Sequence, residues 1–99
     1  MMNSFVQCWS AVRLVPPGTP IAPWSVAGRA KTTFHVLQIG PASIAISPAD
    51  GDPREIPKAD FQKVYDVWSD YKTGKVKRYQ LGFTQNSVYI IGILHHIGM

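Results

Sequence analysis

Hydrophobic and polar positions alternate most clearly in the middle of the chain. Over Thr32–Ile39, Phe34, Val36 and Gln38 fall on one side while His35, Leu37 and Ile39 fall on the other. Over Ser43–Ser47, Ile44 and Ile46 alternate with Ser43, Ala45 and Ser47. A period of two is the mark of a half-buried strand. Gly40-Pro41-Ala42 between the two runs supplies a turn, so residues 32–47 are expected to form an antiparallel hairpin. A second polar turn over residues 47–53 leads to Arg54-Glu55-Ile56, a short third strand.

The period then changes. Phe61, Val64, Tyr65, Trp68 and Tyr71 recur at i, i+3, i+4, i+7 and i+10, which predicts a helix over Ala59–Tyr71 with one aromatic, apolar face. Pro57 opens it, Asp60 and Lys72 match the helix dipole at its two ends, and Gly74 provides the stop. Toward the end of the sequence, Ile90, Ile93, Leu94 and Ile97 share a face behind Asn86 and Ser87 as caps. A helix over about 87–97 is expected there, although isoleucines and Gly92 also suit a buried strand. Val76–Phe83 reads as a short helix or turn. Near the start, Phe5, Cys8, Trp9 and Val12 have helical spacing, with Asn3 or Ser4 as cap.

Four prolines lie between Pro16 and Pro23 and rule out a helix or a central strand. Pro17, Pro20 and Pro23 have polyproline spacing, but a stiff ordered loop with Ile21 and Trp24 packed inward fits the segment better. The expected fold is therefore α+β: a small antiparallel sheet built on the hairpin 32–47, packed with helices 59–71 and about 87–97. The expected core is Trp9, Phe34, Val36, Ile44, Ile46, Phe61, Val64, Tyr65, Trp68, Ile90, Ile93 and Leu94.

Ninety-nine residues make a single domain, 1–99, with an ordinary apolar fraction of 45%. The single cysteine, Cys8, excludes an internal disulfide framework and favours a cytoplasmic setting. No basic residue precedes the apolar stretch Phe5–Val15, which argues against a signal peptide. No run approaches the roughly 20 apolar residues a membrane helix needs.

The net charge of +4 is unevenly distributed. Arg13, Arg29 and Lys31 are the only charges before Asp50. All six acids lie between Asp50 and Asp70, against Arg54, Lys58 and Lys63. After Asp70 come Lys72, Lys75, Lys77 and Arg78 with no acid at all. A basic final third suits an anionic partner. Lys72, Lys75, Lys77, Arg78 and Tyr79 are thus candidate nucleic-acid contacts, with cations for phosphates and a ring for stacking. If three helices succeed one another here, Asn86, Ser87 and Tyr89 open the last of them, where base-reading residues sit in helix-turn-helix units.

Other chemistry finds little footing. His95 and His96 are neighbours and diverge on a helix, so no metal site is expected. Asp50-Gly51-Asp52 lacks the later ligands of a calcium loop and reads as a turn. There is no Gly-x-Ser-x-Gly element and no Gly-rich phosphate loop, so no cofactor is expected.

The run Asp60-Phe61-Gln62-Lys63-Val64-Tyr65 with Trp68, Tyr71, Gly74 and Arg78, and then Asn86–Ile91 and Ile93-Leu94-His95, resembles short uncharacterised bacterial proteins of the mobile integron gene cassette type. The resemblance spans roughly the last two-thirds of the chain and leaves residues 1–30 outside. It implies a bacterial origin and an accessory role, and it brings no assigned activity.

These features are compatible with three functions. The first is a non-catalytic nucleic-acid-binding module. The second is a homo-oligomeric or partner-binding adaptor, for which eleven aromatic residues argue, with Trp9, Trp24 and Tyr79 as interface candidates. The third and least favoured is a small ribonuclease-like toxin. It would need His35, or the Glu55 and Asp52 carboxylates, to share a cleft with the cations.

Overall fold

The computed structural model describes residues 4–22, 24–25, 28–29, 33–48, 51–75 and 86–99. Its order is α1 (Phe5–Arg13), β1 (Pro20–Ile21), β2 (Trp24–Ser25), β3 (Gly28–Arg29), β4 (Phe34–Ile39), β5 (Ser43–Ser47), β6 (Arg54–Pro57), α2 (Lys58–Asp66), α3 (Trp68–Lys72) and α4 (Ser87–His96). Four strands form an antiparallel sheet in the order β1-β4-β5-β6, while β2 and β3 pair separately. The chain is an α+β fold with its helices on one face of the main sheet.

The expected hairpin is present, with one change of register. Val36 pairs with Ile46, but the next pair is Gln38 with Ala45, so a bulge falls at Leu37. A bulge inserts one residue and reverses the parity of the positions beyond it. Phe34 and Val36 point inward as expected, but past the bulge Ile39 packs against the core and Gln38 is exposed. The bulge residue itself, Leu37, is 46% exposed.

The proline segment contributes an edge strand. Pro20 lies opposite His35 in β1, at the margin of the sheet, where a missing N–H breaks no ladder. The Gly18 N–H donates to Val36 O, and the Val36 N–H donates to Thr19 O, which extends the pairing. Ile21 is buried as expected.

The helix expected over 59–71 is present but divided at Val67. There the backbone N–H donates to Val64 O at 3.2 Å, a tighter 3₁₀-type closure. Phe61 and Val64 before the break, and Trp68 and Tyr71 after it, all stay buried. The segment 87–97 is a helix and not a strand. Ile90, Ile91, Gly92, Ile93 and Leu94 are all buried, so this helix is enclosed nearly all round. Gly92 permits its close approach to the sheet: a Cβ there would sit 3.2 Å from the Phe34 ring and 3.3 Å from Ala22 O.

Helix α1 is capped by Ser4, whose side chain accepts from the Gln7 N–H at 3.3 Å. It packs on α2 through aromatic pairs, Trp9 edge-on to Phe61 at 5.3 Å and Phe5 against Tyr65 at 5.5 Å. One core joins the inner sheet face to all the helices. Eleven of the twelve expected core residues are buried, and Tyr65 is half-buried at its margin. Val12, Val15, Ile21, Ile56, Tyr71 and Ile91 complete it together with Cys8.

Cys8 is fully buried, and its thiol donates to Met99 Sδ at 3.4 Å. Burial pushes the thiol pKa from 9.0 up to about 11. Because the folded value is the higher one, the contribution to stability is complete below pH 9 and is lost as pH rises from 9 toward 11. Cys8 should therefore resist a thiol reagent at pH 8 in the native state and react at once in denaturant. The unfolding midpoint should fall above pH 9, and a Cys8→Ala variant should lose this part of the pH dependence.

Candidate nucleic-acid interface

The basic segment begins where α3 ends. Thr73 caps the helix, and Gly74 comes next with φ +83, a conformation that favours glycine. The Gly74 N–H donates to Tyr71 O at 3.1 Å and the Lys75 N–H to Asp70 O at 2.9 Å. These two bonds are a Schellman motif, and they turn the chain sharply away from the helix axis. Lys75, just past the turn, is exposed. Lys77, Arg78 and Tyr79 lie outside the described residues, as does the whole of Val76–Phe83.

Lys72 points elsewhere. Its ammonium donates to the Met99 backbone oxygen, which also accepts from Trp68 Nε1 at 3.2 Å. Asp66 and Asp70, a few residues earlier in the chain, are both exposed. From Asp66 to Lys75 the sequence thus carries two acids and two cations, and its basic excess comes from Lys77 and Arg78.

The start of α4 is tied into the fold. Asn86 Nδ2 donates to Asp60 Oδ2 at 3.3 Å. The Tyr89 ring stands edge-on to Phe34 at 5.2 Å, and the Arg54 guanidinium lies 5.4 Å from its centroid. Ser87, the first residue of the helix, is half-buried. Base contact by Asn86 or Tyr89 would first have to break these links to α2 and the sheet.

Of the interface candidates, Trp9 is withdrawn from the surface. It is 5% exposed, between Phe5 and Phe61 and beneath the Lys58 ammonium at 5.8 Å, because α1 closes over α2. Trp24 pairs with Arg29 between β2 and β3, and its side chain lies outside the described residues, like Tyr79.

The cleft that a ribonuclease needs is not formed by the described residues. His35 is exposed on the outer face of the sheet, opposite Pro20 and Ser47. Glu55 is also exposed and accepts a hydrogen bond from Ser43 Oγ. Asp52 is in the exposed turn before β6. Lys72 and Lys75 belong to the helical layer on the other side. Among the described residues, no three His, Cys, Asp or Glu side chains come together in a way that would hold a metal ion. His95 is half-buried and His96 exposed. No helix among the described residues is long and apolar enough to cross a membrane.

A groove that no local sequence pattern announces lies beside Lys72. Tyr65, Trp68, Ile97 and Met99 give it apolar walls, Asp66 and Lys72 lie on its rim, and its volume is about 800 Å³. It exists because α4 ends in a second Schellman motif, with Gly98 at φ +95 and the Met99 N–H donating to Leu94 O at 3.0 Å. That turn brings Met99 back against α3 and Cys8. The paired aromatics and the nearby lysine are visible in sequence, but the wall opposite them comes from the far end of α4. No protein family, curated protein or solved structure matches the chain.

Proposed function

We propose that the chain is a non-catalytic module that grips the phosphate backbone of nucleic acid through the basic segment starting at Lys75, without reading bases. The observation that carries this is the acid-free final third, whose first free-standing cation is exposed immediately beyond the Gly74 turn. Phosphate contacts supply affinity without sequence information, whereas base edges must be met by side chains that can reach them. Asn86 and Tyr89 are held by Asp60, Phe34 and Arg54, which supports backbone gripping over base recognition. A bacterial accessory protein working in the cytoplasm is part of the same reading, supported by the resemblance over the last two-thirds of the chain and by the single buried thiol.

Fluorescence anisotropy with DNA and RNA across a salt series tests it. Affinity should fall with salt and differ little between sequences. Lys75→Ala plus Lys77→Ala should flatten the log–log slope by about 1.8 on duplex DNA, since each phosphate contact contributes about 0.9. Lys72→Ala should leave the slope nearly unchanged, because that ammonium is held by Met99 O. Absence of binding at low salt, or a slope indifferent to the double substitution, would move the reading to the homo-oligomer. Val6 and Leu14, 75% and 80% exposed at α1, support that second reading, and sedimentation of the same samples would report it.

A further inference from the structure

We propose that Pro53 and Pro57 close the outer edge of β6 to a further strand, so that a second copy of this chain cannot extend the main sheet there. The hydrogen-bond alternation fixes which groups that edge presents. The Lys58 N–H donates to Ala42 O at 2.8 Å, one step beyond the pair formed by Ser43 and Pro57. In an antiparallel ladder, pairs that exchange bonds alternate with pairs that exchange none. Ile56 with Ile44 and Arg54 with Ile46 are therefore the bonded pairs, and the backbone groups of Glu55 and Pro57 face away from β5. Carried on to the residue just before β6, the same alternation turns Pro53 outward as well. Pro53, Glu55 and Pro57 are all exposed. Among them, only Glu55 has an N–H to offer.

An open sheet edge is a template for another chain, and the same strand of a second copy is the natural occupant. Paired antiparallel about a twofold axis at Glu55, two copies of β6 would set Glu55 against Glu55 and Pro53 against Pro57. Only the central pair could exchange bonds. Every flanking bond would need an N–H from Pro53 or Pro57, and a proline has none. The carbonyls of both prolines would lose water without gaining a donor. The two Glu55 carboxylates would also meet as like charges directly opposite one another. That carboxylate accepts from Ser43 Oγ, which holds it over the outer face of the sheet. The opposite edge is treated in the same way. The Val36 N–H donates to Thr19 O, so the alternation turns the Pro20 nitrogen outward from β1. Nucleic-acid binding plays no part in this, and any self-association is left to surfaces other than the sheet edges.

Amide hydrogen exchange and sedimentation of the full chain test this. In the unaltered protein the Ile56 amide should be protected, while the Glu55 amide exchanges at close to the free-peptide rate at every protein concentration. Pro53→Val plus Pro57→Val restores both missing donors. That variant should self-associate about tenfold or more tightly, and its Glu55 amide should gain protection as the concentration rises. Pro53→Val alone, which leaves the start of α2 untouched, should change in the same direction by less. Glu55→Val keeps both prolines and should stay as dissociated as the unaltered protein. The proposal is overturned if the Glu55 amide of the unaltered protein is protected as well as that of Ile56, or gains protection with concentration. It is equally overturned if the folded proline variants sediment like the unaltered protein, or if Glu55→Val associates as tightly as the double variant.

Discussion

Replacing Trp68 with alanine should destabilise the protein by about 3–5 kcal/mol, read as a fall in the urea midpoint. Trp68 is 6% exposed and stacks on Tyr71 with ring centroids 5.7 Å apart. Its indole N–H also bonds Met99 O at 3.2 Å, tying α3 to the turn after α4. Truncation removes the buried area, leaves a cavity and loosens Met99, whose sulfur touches Cys8 on α1. A domain of this size has only about 5–15 kcal/mol in hand, so the variant should lose a large fraction of its stability. Trp68→Phe separates the effects: it keeps most of the packing and loses the hydrogen bond, so about 1–2 kcal/mol is expected. A loss below about 1 kcal/mol for the alanine variant would mean that α3 is not part of the cooperative core.

Legibility in the sequence tracks the range of the interactions involved. The hairpin and the helix around Phe61 and Trp68 are legible because their signals are local, a period of two and a period near 3.6. Gly74 is legible as a stop because a left-handed residue at a helix end is so often glycine. The bulge at Leu37 is not, since strict alternation and a one-residue slip look alike until the partner strand fixes the register. Strand β1 is obscured by Pro20 and the prolines around it, since a proline is compatible with a strand only at a sheet edge, and no local pattern says where the edge falls.

The same distinction holds for the sites. The basic run is a property of contiguous residues and can be seen directly. Its neighbours Asn86 and Tyr89 have their side chains committed to Asp60, Phe34 and Arg54 by packing across the chain, which the caps and spacing around them do not encode. The groove is more remote still. Trp68 reads only as a core residue from its spacing, and its second role depends on the Gly98 turn carrying Met99 across to α3.

The contact between α4 and the sheet should show strong coupling between Phe34 and Gly92. Phe34 is 1% exposed, at the start of β4 on the sheet's inner face and edge-on to Tyr89. Phe34→Ala alone should cost about 3–5 kcal/mol. Gly92→Ala gains about 1 kcal/mol of helix propensity. However, it puts a methyl 3.2 Å from the Phe34 ring and 3.3 Å from Ala22 O, in a core where overpacking costs about 1–3 kcal/mol. The net effect should be a loss of about 1 kcal/mol. In the double variant the ring is gone, and the new methyl occupies part of the space it left. Gly92→Ala should then be neutral or stabilising, giving a coupling of about 1–2 kcal/mol in a double-mutant cycle. Urea unfolding of the four proteins measures it. Additivity within about 0.5 kcal/mol would show that the Phe34 ring does not limit how closely α4 approaches, and that the Ala22 carbonyl alone requires glycine at position 92.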